Sequence, residues 1–228
     1  MGKGLFVTGT GTDIGKTYVT GLIVKKLRAA GLCAGYYKAA LSGAEPDADG
    51  VLQPGDALYV NTVAGLGEKT ENLVSYVYRE AVSPHLAAKI NNRPIDFAKV
   101  EADYLCALSN YEYLTMEGSG GIICPLRWDN EQHVVLDDLI KKLNLGVLII
   151  ADAGLGTINA TVLTIEYLRN RQIPIKGIML NNYIPHDGMQ EDNAYMIEEM
   201  TGVHIWAKIE KGATELAMNV MDLKMLYE

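Results

Sequence analysis

A glycine-rich segment near the amino terminus, TGTGTDIGKT at residues 8–17, restricts the possible folds of this chain more than any other feature. It follows an apolar run typical of a buried strand, residues 5–7, and precedes a segment with helical spacing, residues 16–30. Glycines let successive N–H groups point at one anion, and the following helix adds the positive end of its dipole. The segment therefore predicts a phosphate-binding loop.

The spacing of this loop departs by one residue from the usual pattern, which places a glycine five residues before the Gly-Lys pair. Thr10 occupies that position here, and the preceding glycine is Gly9. Either the loop is one residue longer than usual, or its register is carried by Gly11. In both cases Lys16 can neutralise the outer phosphates and the Thr17 hydroxyl can ligate Mg²⁺.

The order of the remaining segments predicts an α/β fold. Strand patterns occur at residues 33–37, 113–116, 146–151 and 175–181, and helical patterns at residues 56–66, 84–92, 94–109, 160–171 and 192–200. Residues 42–56 are rich in Gly, Pro, Asp and Ala and predict a loop. Because strands alternate with helices, we expect three layers, with a mainly parallel sheet between helices on both faces. No repeat or linker interrupts residues 1–228, which predicts a single domain.

Composition excludes several classes of partner. An excess of acidic over basic residues, 28 against 20, argues against a nucleic-acid binder. No apolar run approaches the ~18 residues of a membrane helix, and residues 5–7 are too short for a signal peptide. Three widely separated cysteines without zinc-type spacing are typical of reduced thiols, so we expect a soluble, cytoplasmic protein.

Three acidic residues are candidates for holding a metal beside the nucleotide. Asp152 ends the most apolar strand pattern, and Glu117 ends a weaker one but precedes the glycine-rich residues 118–121. Asp56, in the predicted loop, is a third candidate because Mg²⁺ takes one or two protein carboxylates. The pattern alone slightly favours Asp152.

Two observations concern the base of the nucleotide. The Asn-Lys-x-Asp motif of guanine-specific switches is absent, and the last predicted strand ends in Asn181 and Asn182. An asparagine amide can pair with the edge of adenine, since it both donates and accepts. The same pair also suits a turn at the end of a strand.

Seven segments together resemble the dethiobiotin synthetase family, which comprises ATP-dependent ring-closing ligases of biotin synthesis. They are VTGTGTDIGKT at 7–17, GYYKAALSG at 35–43, GDAL at 55–58, SPH at 83–85, MEGSGG at 116–121, GLGTIN at 154–159 and LNN at 180–182. The phosphate loop by itself occurs in many families. Its combination with K-x-x-x-S, SPH and EGxGG is what carries the resemblance.

The resemblance implies a three-layer phosphate-loop NTPase fold and a homodimer of single-domain subunits. It also implies a reaction in which 7,8-diaminononanoate, CO₂ and ATP give dethiobiotin, ADP and phosphate. The diamine and CO₂ would form a carbamate, and the carbamate would attack the γ-phosphate to give a carbamic–phosphoric anhydride. The second amine would then close the ureido ring, with Mg²⁺ as the metal cofactor.

By matching position, the resemblance implies the nucleotide and metal ligands. The nucleotide and its metal would be bound by Thr12, Asp13, Ile14, Gly15, Lys16, Thr17, Tyr18, Asp56, Glu117, Gly118, Ser119, Gly120, Asn181 and Asn182. Of these, Thr17, Asp56 and Glu117 would hold Mg²⁺. The resemblance thus favours Glu117 over Asp152.

The implied catalytic residues are Lys38 and Lys16, two cations suited to the negative charge that gathers between a carbamate and a triphosphate. The implied substrate contacts are Lys38, Ser42, Thr12, Asn159 and Tyr195. Asn159 and Tyr195 would reach the substrate carboxylate across the dimer. Two positions depart from the family pattern: Ala160 replaces a usual histidine and Glu210 a usual proline. The departure at Glu210 leaves the adenine contacts after residue 203 open.

Two other interpretations remain. A regulatory ATPase of the partitioning and positioning type shares this kind of loop but commonly carries a second lysine near its start. Residues 10–13 contain no lysine, which favours the ligase. A nucleotide-binding module with a separate catalytic partner would leave Lys38 and Ser42 without a role.

Overall fold

The structure, a computed structural model, describes residues 2–228. The strands are β1 (Lys3–Gly9), β2 (Ala34–Leu41), β3 (Glu45–Pro46), β4 (Leu52–Gln53), β5 (Val74–Val77), β6 (Tyr113–Gly121), β7 (Pro125–Trp128), β8 (His133–Val135), β9 (Gly146–Asp152), β10 (Ile175–Tyr183) and β11 (Ile205–Glu210). The helices are α1 (Lys16–Ala29), α2 (Gly55–Val63), α3 (Pro84–Ile90), α4 (Phe97–Asn110), α5 (Leu136–Lys142), α6 (Thr157–Asn170), α7 (Gly188–Thr201) and α8 (Val220–Met225).

Seven strands form one sheet in the order β11-β10-β9-β1-β6-β2-β5, and every neighbouring pair is parallel. β1 therefore lies at the centre of the sheet, between β9 and β6. The short pairs β3–β4 and β7–β8 are antiparallel and lie outside it. No helix within residues 2–228 combines the length and the apolar character needed to span a bilayer.

Side chains that alternate along the strands fill two cores, one on each face of the sheet. Along β1, Leu5 and Val7 enter the core shared with α1, α2 and α8, whereas Phe6 enters the core shared with α4, α5, α6 and α7. All three are fully buried. Burying such a side chain contributes about 1.5–3 kcal/mol. The predicted three-layer α/β architecture is confirmed.

The sequence patterns missed the two edges of the sheet. β5 and β11 are its outermost strands, and buried residues alternate with more exposed ones along both. An edge strand that is short and half-exposed has no continuous apolar run to reveal it. β2 also extends past its predicted end at residue 37, and the predicted loop at residues 42–56 contains the β3–β4 hairpin and the start of α2. Helices α5 and α8 were not predicted either.

The glycine-rich residues 118–121 lie beyond the strand predicted at residues 113–116, but in the structure they continue strand β6. A Cβ atom at Gly118 would lie 2.8 Å from the Phe6 ring, and Gly121 pairs with Gly9 of β1. The glycines therefore let β6 pass close to the base of the phosphate loop. As a consequence, Glu117 projects from a strand and is buried, 1% exposed.

Candidate active site

The phosphate loop spans the gap between the end of β1 at Gly9 and the start of α1 at Lys16. Gly15 precedes the helix with φ = 90°, a left-handed conformation that favours glycine. A Cβ atom at Gly9 would lie 2.6 Å from Cδ1 of Ile14 and 3.1 Å from the Gly11 carbonyl oxygen, so the loop packs closely against this glycine. Lys16 Nζ donates to the carbonyl oxygen of Gly11 at 2.8 Å. The loop is thus held curled around the helix N-terminus.

Lys38 joins two carboxylates beside this loop. Its Nζ lies 2.6 Å from Oδ2 of Asp56 and 2.9 Å from Oε1 of Glu117, and also donates to the Gly118 carbonyl at 3.3 Å. The Lys38 and Glu117 side chains are 4% and 1% exposed. Parallel pairing of β2 with β6 sets these two residues side by side, and Asp56 lies in the first turn of α2.

Glu117 connects this ion cluster to the phosphate loop. Its Oε1 also accepts a hydrogen bond from the Thr17 hydroxyl at 2.7 Å, and its Oε2 accepts one from the Tyr36 hydroxyl at 3.0 Å. Three segments that are distant in sequence therefore meet at one carboxylate. Thr17, Asp56 and Glu117 place oxygen donors around the same space.

The charges in this cluster shift one another's ionisation. Burial lowers the pKa of the Lys38 ammonium, but the carboxylates of Glu117 and Asp56 outweigh it, and the net shift is upward. Burial would raise the pKa of Asp56, yet the Lys38 ammonium holds it below its ordinary value. For Lys16, burial and the charge of Lys38 lower the pKa. Burial and the Glu117 carboxylate raise the pKa of Tyr36 well above its usual range, so its hydroxyl remains a donor.

A cavity of about 610 Å³ opens above the cluster, at the carboxyl ends of β1, β2 and β6. Its size is that of a typical small-molecule site. The predicted site residues that line it are Thr12, Asp13, Gly15, Lys16, Thr17, Tyr18, Lys38, Ser42, Asp56, Glu117, Ser119 and Gly120. Leu41, Gly55 and Tyr59 line it as well. The structure thus brings both predicted lysines and all three predicted metal ligands to one cavity.

Asp152, the carboxylate that the strand pattern slightly favoured, lies elsewhere. Its Oδ1 accepts from the backbone N–H of Gly154 at 2.8 Å and its Oδ2 from the Asn182 amide at 2.7 Å. Asp152 therefore organises the end of β9, and Glu117 is the strand carboxylate that contacts Thr17. The apolar run before Asp152 revealed the strand but not which strand end faces the loop.

Asn181 lies behind the phosphate loop and is buried. Its Nδ2 donates to the Ile14 carbonyl at 2.9 Å, and its Oδ1 is buried without a hydrogen-bond partner among the described residues. The segment after β11 approaches the same region, because the Tyr18 hydroxyl donates to the Ala213 carbonyl. Glu210, the last residue of β11, is exposed.

Asn159 and Tyr195 lie outside the main cavity, on α6 and α7 respectively. Asn159 lines a shallow cavity of about 440 Å³ together with Leu155, Ile158, Val162, Leu163 and Met200. Tyr195, Leu155 and Leu163 are 59%, 90% and 62% exposed. Asn159 thus belongs to an exposed, largely apolar surface, and Tyr195 is an exposed residue of α7 outside it.

Sequence reasoning missed Tyr36 and Tyr59. Tyr36 precedes Lys38 by two residues, and side chains at that spacing point to the same face of a strand. This alternation could have shown that Tyr36 faces the ion cluster, but the predicted strand ended at residue 37. Tyr59 lies one turn after Asp56 on α2, a spacing that places both on one helix face.

Comparisons with known proteins show which family the chain belongs to. Residues 3–214 match a family model described as an AAA domain. The ATP-dependent dethiobiotin synthetase of Brachyspira hyodysenteriae is 48% identical, with all of both chains covered. Its counterpart from Clostridium botulinum strain Eklund 17B is 45% identical over 100% of this chain and 99% of that protein. The chain belongs to the dethiobiotin synthetase family.

Solved structures of lower identity show the same fold. A ParA family ATPase from Chlorobium tepidum is 13% identical with a TM-score of 0.56, covering 99% of this chain and 89% of that one. A chain of the MinC:MinD cell division complex from Aquifex aeolicus is 14% identical with a TM-score of 0.57, covering 98% and 86%. At these identities the likeness shows the fold alone. The regulatory-ATPase alternative is therefore not favoured, because the dethiobiotin synthetases are far more similar in sequence.

Substitution of Gly15 tests the loop geometry. In Gly15→Ala a Cβ atom would lie 2.1 Å from Nδ2 of Asn181, at a backbone position with φ = 90°. We expect the dissociation constant of ATP, measured by calorimetry, to rise about 10-fold or more, because relief of this clash must move the loop N–H groups or the Asn181 amide, and a loss of about 1.4 kcal/mol in binding is tenfold.

Gly31→Ala is the matched control, because Gly31 has φ = 78° and open space around its Cβ position. It should lower stability by a similar strain and leave ATP affinity unchanged. Equal ATP affinities in the wild type and Gly15→Ala would contradict the geometry described for the loop.

Proposed function

We propose that the chain is an ATP-dependent ring-closing ligase that converts 7,8-diaminononanoate and CO₂ to dethiobiotin, releasing ADP and phosphate. The observation that carries the proposal is the buried ammonium of Lys38, held between Glu117 and Asp56 at the mouth of a phosphate loop. Membership of the dethiobiotin synthetase family, at 43–48% identity over the full chain, supports the same reaction.

The loop and the start of α1 are proposed to bind the triphosphate. Backbone N–H groups at a helix N-terminus favour anions, and Lys16 adds a full charge. The proposed phosphate ligands are Thr12, Asp13, Ile14, Gly15, Lys16, Thr17 and Tyr18, with Gly118, Ser119 and Gly120 on the opposite wall. Phosphoryl transfer needs positioning and charge neutralisation more than a protein nucleophile, so these groups suffice.

Asn181 is proposed to read the base. Its Nδ2 is engaged with the Ile14 carbonyl, and within residues 2–228 its buried acceptor Oδ1 has no hydrogen-bond partner. An unpaired buried acceptor is costly, and the exocyclic amino group of adenine would satisfy it. Asn182 is proposed to act with it, from a position where its amide already holds Asp152.

The residues around the loop fit a magnesium ion. Mg²⁺ prefers oxygen ligands and is bound through one or two carboxylates together with substrate phosphates. Thr17, Asp56 and Glu117 supply such oxygens, and Thr17 contacts Glu117 directly. When bound, the ion would neutralise charge on the β- and γ-phosphates. We propose these three residues as its protein ligands.

Lys38 and Lys16 are proposed as the catalytic residues. The carbamate and the γ-phosphate are both anions, and their reaction requires fixed positive charge in a site with little water. Lys38 is buried, and its pKa is raised by the carboxylates beside it, so it remains an ammonium donor. It is proposed to stabilise the carbamate as it attacks and the phosphate as the second amine closes the ring.

The diamine is proposed to bind along the cavity rim formed by Thr12 and Ser42, both of which line the space beside Lys38. In this position the carboxylate end of 7,8-diaminononanoate would extend out of the cavity, beyond the residues that one subunit contributes. Asn159 and Tyr195 do not line that cavity. Tyr195 is exposed on α7, and Asn159 lies on an exposed, largely apolar surface with Leu155, Leu163 and Met200. We propose that this surface forms a homodimer interface and that both residues reach the substrate of the partner subunit.

Residues 1–228 are proposed to act as one nucleotide-binding and ligase domain. The two cores flank the seven-stranded sheet, and the cavity lies at the carboxyl ends of its strands β1, β2 and β6. The three cysteines, Cys33, Cys106 and Cys124, are free thiols, two of them exposed. Free thiols are typical of a reducing compartment, which supports a cytoplasmic location.

Phosphate release tests the proposed reaction. With Mg-ATP and bicarbonate, the wild type should release phosphate only when 7,8-diaminononanoate is added, because the carbamate is the nucleophile. Lys38→Ala should reduce this diamine-dependent release by at least about 100-fold and change ATP affinity little, since one lost charge–anion contact at the transition state has effects of this size.

Diamine-independent release by the wild type would instead indicate a regulatory ATPase. If Lys38→Ala turned over at the wild-type rate, the proposed catalytic role of Lys38 would be wrong, but the proposed ligase reaction would still stand.

A mixing experiment tests the shared site. Lys38→Ala and Asn159→Ala should each be nearly inactive, because each removes a contact from both sites of its dimer. After refolding together, mixed dimers would contain one site with both residues intact. In a two-fold dimer with random mixing, about a quarter of wild-type activity should return.

The same mixture should stay inactive if Asn159 serves the cavity of its own subunit. Lys38→Ala mixed with Lys38→Arg is the control, since no mixed dimer of that pair contains an intact site.

A further inference from the structure

Tyr36 occupies a position beneath the ion cluster that the family resemblance does not assign to any role. It lies on β2 two residues before Lys38, and its side chain is fully buried. Strand alternation points both side chains toward α1. The phenolic ring therefore fills part of the core under the cavity, and its hydroxyl ends at the Glu117 carboxylate.

The two oxygens of Glu117 have different partners. Oε1 accepts from Thr17 at 2.7 Å and from Lys38 at 2.9 Å, both on the cavity side. Among the hydrogen bonds of residues 2–228, the one to Oε2 comes from Tyr36, at 3.0 Å. The neutral Tyr36 hydroxyl thus holds Oε2 on the core side, and Oε1 faces the phosphate loop.

We propose that Tyr36 is a positioning residue that holds the Glu117 carboxylate in the orientation required to bind the metal of Mg-ATP. This inference rests on the proposed function, in which Glu117 is a metal ligand. The terminal torsion of a glutamate has a broad energy minimum, so the carboxylate plane is not set by its own side chain. Hydrogen bonds to a ligating carboxylate orient it, and their loss typically lowers metal affinity.

The chemistry of the site explains why a tyrosine suits this position. A phenylalanine would fill the same space but would leave Oε2 buried without a donor. A buried acceptor that loses its hydrogen bond destabilises the folded protein. A charged donor would compete with Lys38 for the carboxylate. Tyr36 supplies one hydrogen bond and no charge, which leaves the balance between Lys38, Asp56 and Glu117 unchanged.

The test measures metal binding directly, with Mn²⁺ as the probe. The protein is saturated with ADP, and free Mn²⁺ is followed by electron paramagnetic resonance. Tyr36→Phe should weaken Mn²⁺ binding about 10-fold, whereas ADP affinity measured in EDTA should change less than about twofold. At higher Mn²⁺ concentration the variant should bind the same number of ions per subunit as the wild type.

Tyr78→Phe is the matched control. Tyr78 is also buried, 1% exposed, and its hydroxyl donates to the Arg93 carbonyl at 2.7 Å, away from the cavity. It should lose a comparable amount of stability and bind Mn²⁺ as the wild type does. If both variants lose the same Mn²⁺ affinity, or if Tyr36→Phe loses none, the inference about Tyr36 is wrong.

Glu117→Gln separates this inference from the proposed function. If Glu117→Gln binds Mn²⁺ normally, the proposed metal site itself fails. If Glu117→Gln is impaired and Tyr36→Phe is not, only the role of Tyr36 fails. Because Tyr36 acts through Glu117, the double variant should be no weaker than Glu117→Gln alone, and additive losses would overturn the coupling.

Discussion

The architecture of this site depends on one buried interaction, in which the Lys38 ammonium lies between the carboxylates of Glu117 and Asp56. Buried charges are costly unless they are paired and hydrogen-bonded. The pairing here is supplied by three separate elements: β2, β6 and the first turn of α2. The parallel register of β2 with β6 is therefore as important to the site as any of its side chains.

The same interaction reconciles an acidic protein with an anionic ligand. The formal net charge of −8 describes the molecule as a whole. Within the cavity, Lys16 and Lys38 lie beside the carboxylates of Asp13, Asp56 and Glu117, and the helix N-terminus adds positive potential. The electrostatic potential inside the cavity is set by the groups that line it, because exposed charges more than about 10 Å away are screened by salt. Phosphate binding therefore depends on the two lysines, the N–H groups of the loop and the metal ion that the carboxylates would hold, and not on the net charge of the molecule.

The central part of the fold could be predicted because buried parallel strands such as β9 have continuous apolar sequences. The edge strands could not be predicted, because β5 and β11 are short and their buried residues alternate with more exposed ones. In the site, Lys16 and Thr17 followed from local loop chemistry alone. Choosing Glu117 over Asp152 required the family resemblance, because the order of strands in the sheet is not contained in any one segment. Tyr36 was missed for a related reason, as its contact with Glu117 depends on pairing between residues 81 positions apart.

The position of the bound metal ion is the most direct test of whether Glu117 and its neighbours form the metal site beside the phosphate loop. Crystals of the protein with ADP and Mn²⁺ would give its position from anomalous scattering. We expect one peak at coordination distance, about 2.1 Å, from oxygens of Thr17, Asp56 and Glu117, with Lys38 displaced from Oε1. A peak beside Asp152, or nucleotide-bound metal without contact to Glu117, would contradict this expectation.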